Sequence, residues 1–238
     1  MCGIVSYIGK KDPVPILLKG LRRLEYRGYD SSGIALLNSQ KLQSIKKVGK
    51  VSALESLIDD SPINGYCGIA HTRWATHGEP NDVNAHPHID KTKKIALVHN
   101  GIIENYDSIK KVLKKRGVSF TSSTDSEVLV QLISELYYKN NEKLSFEDAV
   151  RAALQEVIGA YGIVVICKDE PGKIIAARMG SPLVLGVGDG EFLIASDASP
   201  IIEHTRNVIY LDDNELVLIE DKNFSISKID SKKIINKT

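Results

Sequence analysis

Short apolar runs, separated by glycine, proline and charged residues, dominate this chain of 238 residues. Runs such as Ile163–Ile166 are apolar without alternation, which indicates strands that are buried on both faces. The pattern predicts about a dozen strands. They are expected at residues 2–9, 34–37, 42–48, 67–71, 95–98, 163–167, 174–177, 183–187, 192–195, 208–211, 216–219 and 224–229.

Two groups of helices interrupt these strands. Asp12 and Pro13 open the first helix, which runs to about Leu24, and a shorter helix is expected at 51–60. In the second group, Asn105, Thr124 and Ser145 are predicted N-caps, and residues 124–127 have the capping-box pattern. The combination predicts an α+β fold, a four-layer αββα sandwich of two stacked, mostly antiparallel sheets with helices on the outer faces.

The composition of the chain excludes several classes of binding partner. The chain has 31 Lys+Arg and 30 Asp+Glu, a formal charge of +1, so neither nucleic acid nor an anionic membrane is expected as a partner. No apolar run reaches the ~20 residues of a membrane span. The first apolar stretch leads directly into Lys10, Lys11 and Asp12, so no signal peptide is expected. The three cysteines lack CxxC spacing, which favours a cytoplasmic protein with reduced thiols.

Cys2 is the first candidate for chemistry. Removal of Met1 would leave Cys2 at the N-terminus, with a thiol and a free α-amine in one residue. The unperturbed amine titrates at ~7.7–8.0 and the thiol at ~8.5, and an N-terminal amine can act as base for its own side chain. The alternative is that Cys2 is a small buried residue at the start of a core strand.

Other polar clusters lie on loops or at strand ends, where functional sites are common. The most specific segment is His71–Pro80. The others are Cys2–Gly9, Leu24–Ala35, Asn84–His88, His99–Tyr106, Thr124–Glu127, Gly159–Gly162, Gly180–Gly188 and Phe192–Asp197. Together these segments resemble the glutaminase domains of the glucosamine-6-phosphate synthase family, which are class II glutamine amidotransferases among the N-terminal-nucleophile hydrolases. The resemblance covers nearly the whole chain.

The resemblance implies a catalytic role for four residues. Cys2 would attack the side-chain amide of L-glutamine, and the Asn100 amide and the Gly101 N–H would stabilise the oxyanion. Arg27 would orient the N-terminal residue. Taken alone, Asn100–Gly101 is also a turn signal, and Arg27 could instead form a salt bridge with a neighbouring acidic residue in its loop, either Glu25 or Asp30.

The resemblance also implies a binding site for the two charged groups of glutamine. Arg73 would bind the carboxylate and Asp125 the ammonium group. A mobile loop would close over the substrate, and its residues are Trp74, Thr76, His77 and Gly78. Two alternatives stay open. Asp125 could act only as a stabilising negative charge in the first turn of its helix, and Trp74 could be an ordinary core residue.

Histidines raise the question of a metal, since His86 and His88 could supply two ligands. The family uses no metal for glutamine hydrolysis, so neither metal nor cofactor is expected. Residues 2–230 are predicted to form the glutaminase domain and residues 231–238 a charged tail or the start of a linker.

In the complete enzyme, C-terminal sugar-phosphate isomerase domains would use the ammonia to convert fructose 6-phosphate to glucosamine 6-phosphate. A homodimer of that enzyme is also an expectation. The alternatives are the glutaminase part of another class II amidotransferase, such as the phosphoribosyl-pyrophosphate enzyme, and a catalytically silent glutamine-binding regulatory domain.

Overall fold

The computed structural model describes residues 2–39, 41–74, 79–139, 144–220 and 222–237. Its strands are β1 (Gly3–Ile8), β2 (Ser31–Leu37), β3 (Leu42–Val48), β4 (Cys67–Arg73), β5 (His88–Ile89), β6 (Ile95–Ile103), β7 (Gly159–Cys167), β8 (Lys173–Met179), β9 (Val184–Val187), β10 (Phe192–Ala195), β11 (Val208–Tyr210), β12 (Glu215–Glu220) and β13 (Asn223–Lys228). Its helices are α1 (Pro13–Leu24), α2 (Val51–Asp60), α3 (Tyr106–Lys115), α4 (Asp125–Lys139) and α5 (Phe146–Gln155), with a 3₁₀ turn at Glu25–Arg27.

The strands form two antiparallel sheets. One has seven strands in the order β11-β9-β10-β1-β4-β2-β3, and the other has six in the order β13-β12-β8-β7-β6-β5. β1 lies in the middle of the larger sheet, with Val5 opposite Ala195 on β10 and Ala70 on β4. The start of the chain is therefore held by strands on both sides.

The two sheets stack face to face across a buried apolar layer. Ile4 and Ile69 of the larger sheet pack in this layer against Val98 and Val164 of the smaller one, and all four are fully buried. A second apolar layer joins the larger sheet to α1 and α2, and a third joins the smaller sheet to α3, α4 and α5. The arrangement confirms the predicted αββα sandwich.

Two of the predicted N-caps form. Thr124 Oγ1 accepts a hydrogen bond from Glu127 N at 3.2 Å, and Ser145 Oγ accepts one from Asp148 N at 3.1 Å. Each bond satisfies a backbone donor that the first helical turn leaves without an intrahelical partner. The caps predicted for α4 and α5 are therefore confirmed.

Asn105 stands at the N-cap position of α3, but its side chain does not cap the helix. Its amide nitrogen donates to Glu156 O at 2.8 Å, and its oxygen accepts from Ile158 N at 3.0 Å. The predicted cap is wrong because the backbone after α5 offers the Asn105 amide both an acceptor and a donor.

Several strands are longer than their apolar runs predict. β6 continues beyond Val98 through Ile103, because its backbone pairs with β7 as far as the partners Ile103 and Gly159. β2 likewise begins at Ser31 rather than Ile34. Backbone pairing continues wherever the partner strand does, so polar residues such as His99 and Asn100 lie inside a strand.

The segment after β13 contacts the smaller sheet. Ile235 N donates to Ile226 O at 2.8 Å, and Lys237 Nζ lies 2.7 Å from Glu215 Oε2. In the described ranges, no helix is both long enough and apolar enough to cross a membrane.

Candidate active site

Cys2 immediately precedes β1 and therefore lies at the end of the central strand of the larger sheet. The antiparallel neighbour β4 ends beside it, so that Trp74 N donates to Cys2 Sγ at 3.2 Å. Burial raises the pKa of the Cys2 thiol, and the Trp74 N–H and the nearby Arg73 charge oppose that shift only in part. The thiol is therefore mostly protonated at neutral pH and needs a base to become a nucleophile.

Asn100 and Gly101 reach the same point from the smaller sheet, on β6. Asn100 Nδ2 donates to Cys2 O at 3.0 Å, so the amide lies beside the predicted nucleophile. Gly101 has φ +132°, and a Cβ there would lie 2.0 Å from Ala160 O. The two residues belong to a strand, so the alternative of an ordinary Asn-Gly turn is wrong.

One narrow cavity joins Cys2 to Arg73 and Asp125. Arg73 ends β4 and is 5% exposed, while Asp125 begins α4 and is 6% exposed. Desolvation lowers the pKa of Arg73, while the charges of Cys2 and Asp125 act in the opposite direction. The other lining residues are Trp74, His86, His99, Gly101, Thr124 and Ser126.

The Asp125 carboxylate also holds the start of α4 against β6. Its Oδ2 accepts from Ile103 N at 2.8 Å, and its Oδ1 accepts from Ser126 N at 2.9 Å. These bonds fix the carboxylate at the wall of the cavity. They also show that Asp125 has a structural contribution whatever its role in binding.

A second cavity, of about 210 Å³, also borders Cys2. Arg27 borders it and forms an ion pair with Asp197, with Nη2 and Oδ2 2.6 Å apart. Asp197 was missed as a partner by sequence reasoning, although it lies in a segment that matched the family. The remaining lining residues are Trp74, Asn100, Gly101, Ile102, Ser181 and Pro182.

Trp74 is 47% exposed, so it is not the core residue that one alternative expected. Its ring meets Tyr29 edge to face, with centroids 6.1 Å apart. The other three predicted loop residues, Thr76, His77 and Gly78, lie outside the described residues.

Histidines form a buried cluster behind Asn100 that the sequence did not predict. It consists of His71, His86, His88 and His99, each no more than 4% exposed. Within the described ranges, no group of three His, Cys, Asp or Glu side chains is placed to hold a metal ion. The pair His86–His88 is instead part of this cluster, with ring centroids 4.7 Å apart.

Comparisons with known proteins show which family the chain matches. A family model described as "Glutamine amidotransferase domain" matches residues 71–203. The chain is 54% identical over 234 residues to glutamine–fructose-6-phosphate aminotransferase [isomerizing] of Chlorobaculum tepidum, covering 97% of this chain and 38% of that protein. It is 57% identical over 220 residues to the protein of the same name in Bacteroides thetaiotaomicron, covering 92% and 36% respectively. The chain thus spans less than two fifths of these relatives.

Solved structures share the fold. The glutamine phosphoribosylpyrophosphate amidotransferase of B. subtilis, complexed with ADP and GMP, superposes with a TM-score of 0.83 at 24% identity, over 97% of this chain and 50% of that one. A structure described as the allosteric regulatory enzyme of purine biosynthesis gives 0.84 at 24% identity, over 98% and 50%. These likenesses support the two-sheet architecture.

Proposed function

This chain belongs to the family of glutamine amidotransferase domains, and we propose that it hydrolyses L-glutamine to L-glutamate and ammonia with Cys2 as nucleophile. The observation that carries the proposal is the single cavity that joins Cys2 to a buried arginine and a buried carboxylate. A buried cation and a buried anion on the wall of one cavity are complementary to the two charged groups of an amino acid.

Substrate orientation follows from those charges. The planar guanidinium of Arg73 would bind the α-carboxylate through two parallel hydrogen bonds, and Asp125 would accept from the α-ammonium group. The side-chain amide of glutamine would then reach Cys2. We propose that Trp74, together with Thr76, His77 and Gly78, covers the bound substrate and excludes water.

Chemistry would proceed in two steps. Cys2 Sγ attacks the amide carbon, its proton passes to the α-amine of Cys2, and the Asn100 amide and the Gly101 N–H stabilise the oxyanion. Collapse of this intermediate breaks the C–N bond, and the protonated amine supplies the proton for departing ammonia. Water then hydrolyses the γ-glutamyl thioester to give glutamate and the free thiol. Arg27, held by Asp197, would orient the N-terminal residue.

The base in this scheme exists only after Met1 is removed, because an amide nitrogen at Cys2 cannot accept the proton. A preparation that mass spectrometry shows to retain Met1 should have little or no glutaminase activity. Aminopeptidase removal of Met1 should restore activity. Full activity with Met1 in place would refute the base assignment while leaving Cys2 as nucleophile.

Ammonia would be used by other parts of a complete enzyme. We propose that this enzyme is a cytoplasmic glutamine–fructose-6-phosphate aminotransferase, a homodimer whose C-terminal isomerase domains make glucosamine 6-phosphate. The support is the name of relatives 54% and 57% identical to this chain, which spans 38% and 36% of them. We also propose 2–230 as the glutaminase domain and 231–238 as its tail or the start of a linker.

The proposal is tested by supplying glutamine to this chain with Cys2 as its verified first residue. Glutamate and ammonia should appear in equal amounts, and added fructose 6-phosphate should yield no amino sugar. Binding of glutamine without hydrolysis would favour a silent regulatory domain. Production of glucosamine 6-phosphate by this chain alone would contradict its assignment as the glutaminase part.

A further inference from the structure

The buried histidine cluster lies against the proposed oxyanion site, yet the mechanism above uses none of its rings. His71 lies on β4, and its ring stacks on His86 with centroids 4.2 Å apart and planes at 17°. His86 Nδ1 in turn accepts from His99 N at 3.2 Å. The His71 ring therefore has one face held by stacking, and its edge is directed at β6.

Two oxygen atoms of β6 lie within hydrogen-bond distance of the same ring nitrogen of His71. Nε2 is 3.2 Å from the backbone oxygen of His99 and 2.9 Å from Asn100 Oδ1. A carbonyl oxygen can only accept, so the contact with His99 O requires that Nε2 carries the hydrogen. Burial lowers the pKa of His71 to about 3, so its ring is neutral at working pH and Nδ1 carries no proton.

This tautomer determines which way the Asn100 amide points. The atom of the Asn100 amide that lies 2.9 Å from this N–H must be an acceptor, so the Asn100 oxygen faces His71. Its nitrogen then faces Cys2, where Nδ2 donates to Cys2 O at 3.0 Å. The reversed amide would place two donors against each other at His71. It would also direct a partial negative charge toward the carbon that Cys2 attacks.

We propose that His71 is a positioning residue that holds the Asn100 amide with its N–H groups toward the reacting carbon. This inference rests on the proposed function, because an oriented donor matters only if an oxyanion forms beside Cys2. His71 touches neither substrate nor nucleophile in this role. It acts through Asn100 alone, by excluding the amide orientation that would oppose the reaction.

Two substitutions at His71 distinguish the loss of the Nε2–H donor from the loss of the imidazole ring. His71→Leu removes the N–H and should lower kcat for glutamine about 10²- to 10³-fold, the usual effect of losing one oxyanion donor, with KM changed less than about threefold. His71→Gln retains an N–H near the position of Nε2 and should recover at least about tenfold of the loss.

The rate of alkylation by iodoacetamide distinguishes a role of His71 in orienting the Asn100 amide from a general disruption of the site around Cys2. This reagent reacts at a saturated carbon and forms no oxyanion, so the rate of Cys2 alkylation should be the same in His71→Leu and wild type. His88→Leu is the matched control, because His88 is equally buried but its Nε2 contacts Thr124 Oγ1 rather than Asn100. It should keep kcat within about threefold of wild type.

Three results would overturn the role of His71. They are an unchanged kcat in His71→Leu, a parallel loss of kcat and alkylation rate, and an equal loss of kcat in His88→Leu. A further test needs no activity, since ¹⁵N NMR should show a protonated Nε2 and an unprotonated Nδ1 in the His71 ring. The opposite tautomer would reject this inference alone, whereas a wild-type chain that hydrolyses no glutamine would reject the proposed function.

Discussion

At the scale of single residues, the three cysteines differ in what surrounds their thiols. Burial raises the thiol pKa of Cys2, Cys67 and Cys167 alike. Of the three, only Cys2 borders the two site cavities, and only Cys2 has Arg73 among the charges that favour its thiolate. Access and a nearby cation are what a nucleophilic cysteine requires, so the two core cysteines serve as controls.

Cys2→Ala should lower glutaminase activity by a factor on the order of 10⁵ to 10⁶, because it removes the atom that forms the thioester. Cys67→Ala and Cys167→Ala should leave kcat within about twofold, since both lie in apolar layers away from the site. Steady-state ammonia release measures all three. Activity in Cys2→Ala comparable to wild type would contradict the mechanism.

Substrate recognition is tested at Arg73 and Asp125. Arg73→Lys keeps the charge but loses the planar fork, and Asp125→Asn removes the negative charge, so each should raise KM for glutamine about tenfold or more. The control is Arg23→Lys, a surface arginine paired with Glu203, which should leave KM unchanged. An unaltered KM in Asp125→Asn would restrict that residue to holding α4 against β6.

At the scale of elements, β6 is where the fold and the proposed chemistry depend on each other. The strand brings Asn100 and Gly101 from the smaller sheet to the end of β1 in the larger one. Gly101 can occupy its place only without a Cβ, because its φ of +132° and the approach of Ala160 O both exclude a side chain. An alteration here should therefore affect stability and catalysis together.

Gly101→Ala should reduce the free energy of unfolding by about 2 kcal/mol or more and lower kcat at least about tenfold. The reason is that β6 and β7 must separate to admit the new Cβ, which displaces the Gly101 N–H. Gly190→Ala is the matched control, with φ +68° but no atom within 4 Å of its Cβ. It should cost about 1 kcal/mol and leave kcat unchanged. Equal effects of the two substitutions would show that the positive φ alone, and not the contact with Ala160 O, determines the loss.

For the whole molecule, the stacking of two sheets buries ionisable side chains that a single sheet would leave in water. The pKa values of His71, His86, His88 and His99 are all lowered, in each case mainly by desolvation. The cluster is therefore neutral in the folded protein at pH 7, while the unfolded chain has histidines with pKa near 6.5.

Stability should consequently fall as pH falls below about 6.5. Between that value and the lower folded pKa, which is about 3 for His71, the unfolded chain binds protons that the folded chain does not. As the pH falls from 6.5 to 5.5, each histidine ring that stays neutral in the folded protein should lower the free energy of unfolding by about 1 kcal/mol. Urea unfolding at these two pH values measures the change. His71→Gln should show a smaller decrease, and equal stability of the wild type at both values would show that the rings titrate normally.

Local patterns in the sequence were sufficient for much of this description. Unbroken apolar runs predicted the buried strands. The side chains of Thr124 and Ser145 cap the N-termini of α4 and α5 as expected. Residues close in sequence carry this information, since caps and strand patterns depend on neighbours a few positions away. The site residues Cys2, Asn100 and Arg73 were instead identified through the family resemblance, and the structure places them around two cavities that share Cys2.

Tertiary structure alone decided which distant side chains meet. Asp197 reaches Arg27 from 170 residues along the chain. Trp74 is exposed, although core packing was the open alternative for it. His71 meets Asn100 only because β4 and β6 lie in facing sheets. Strand order, register and the stacking of sheets set such contacts, and these depend on pairing between segments remote in sequence that no local pattern specifies.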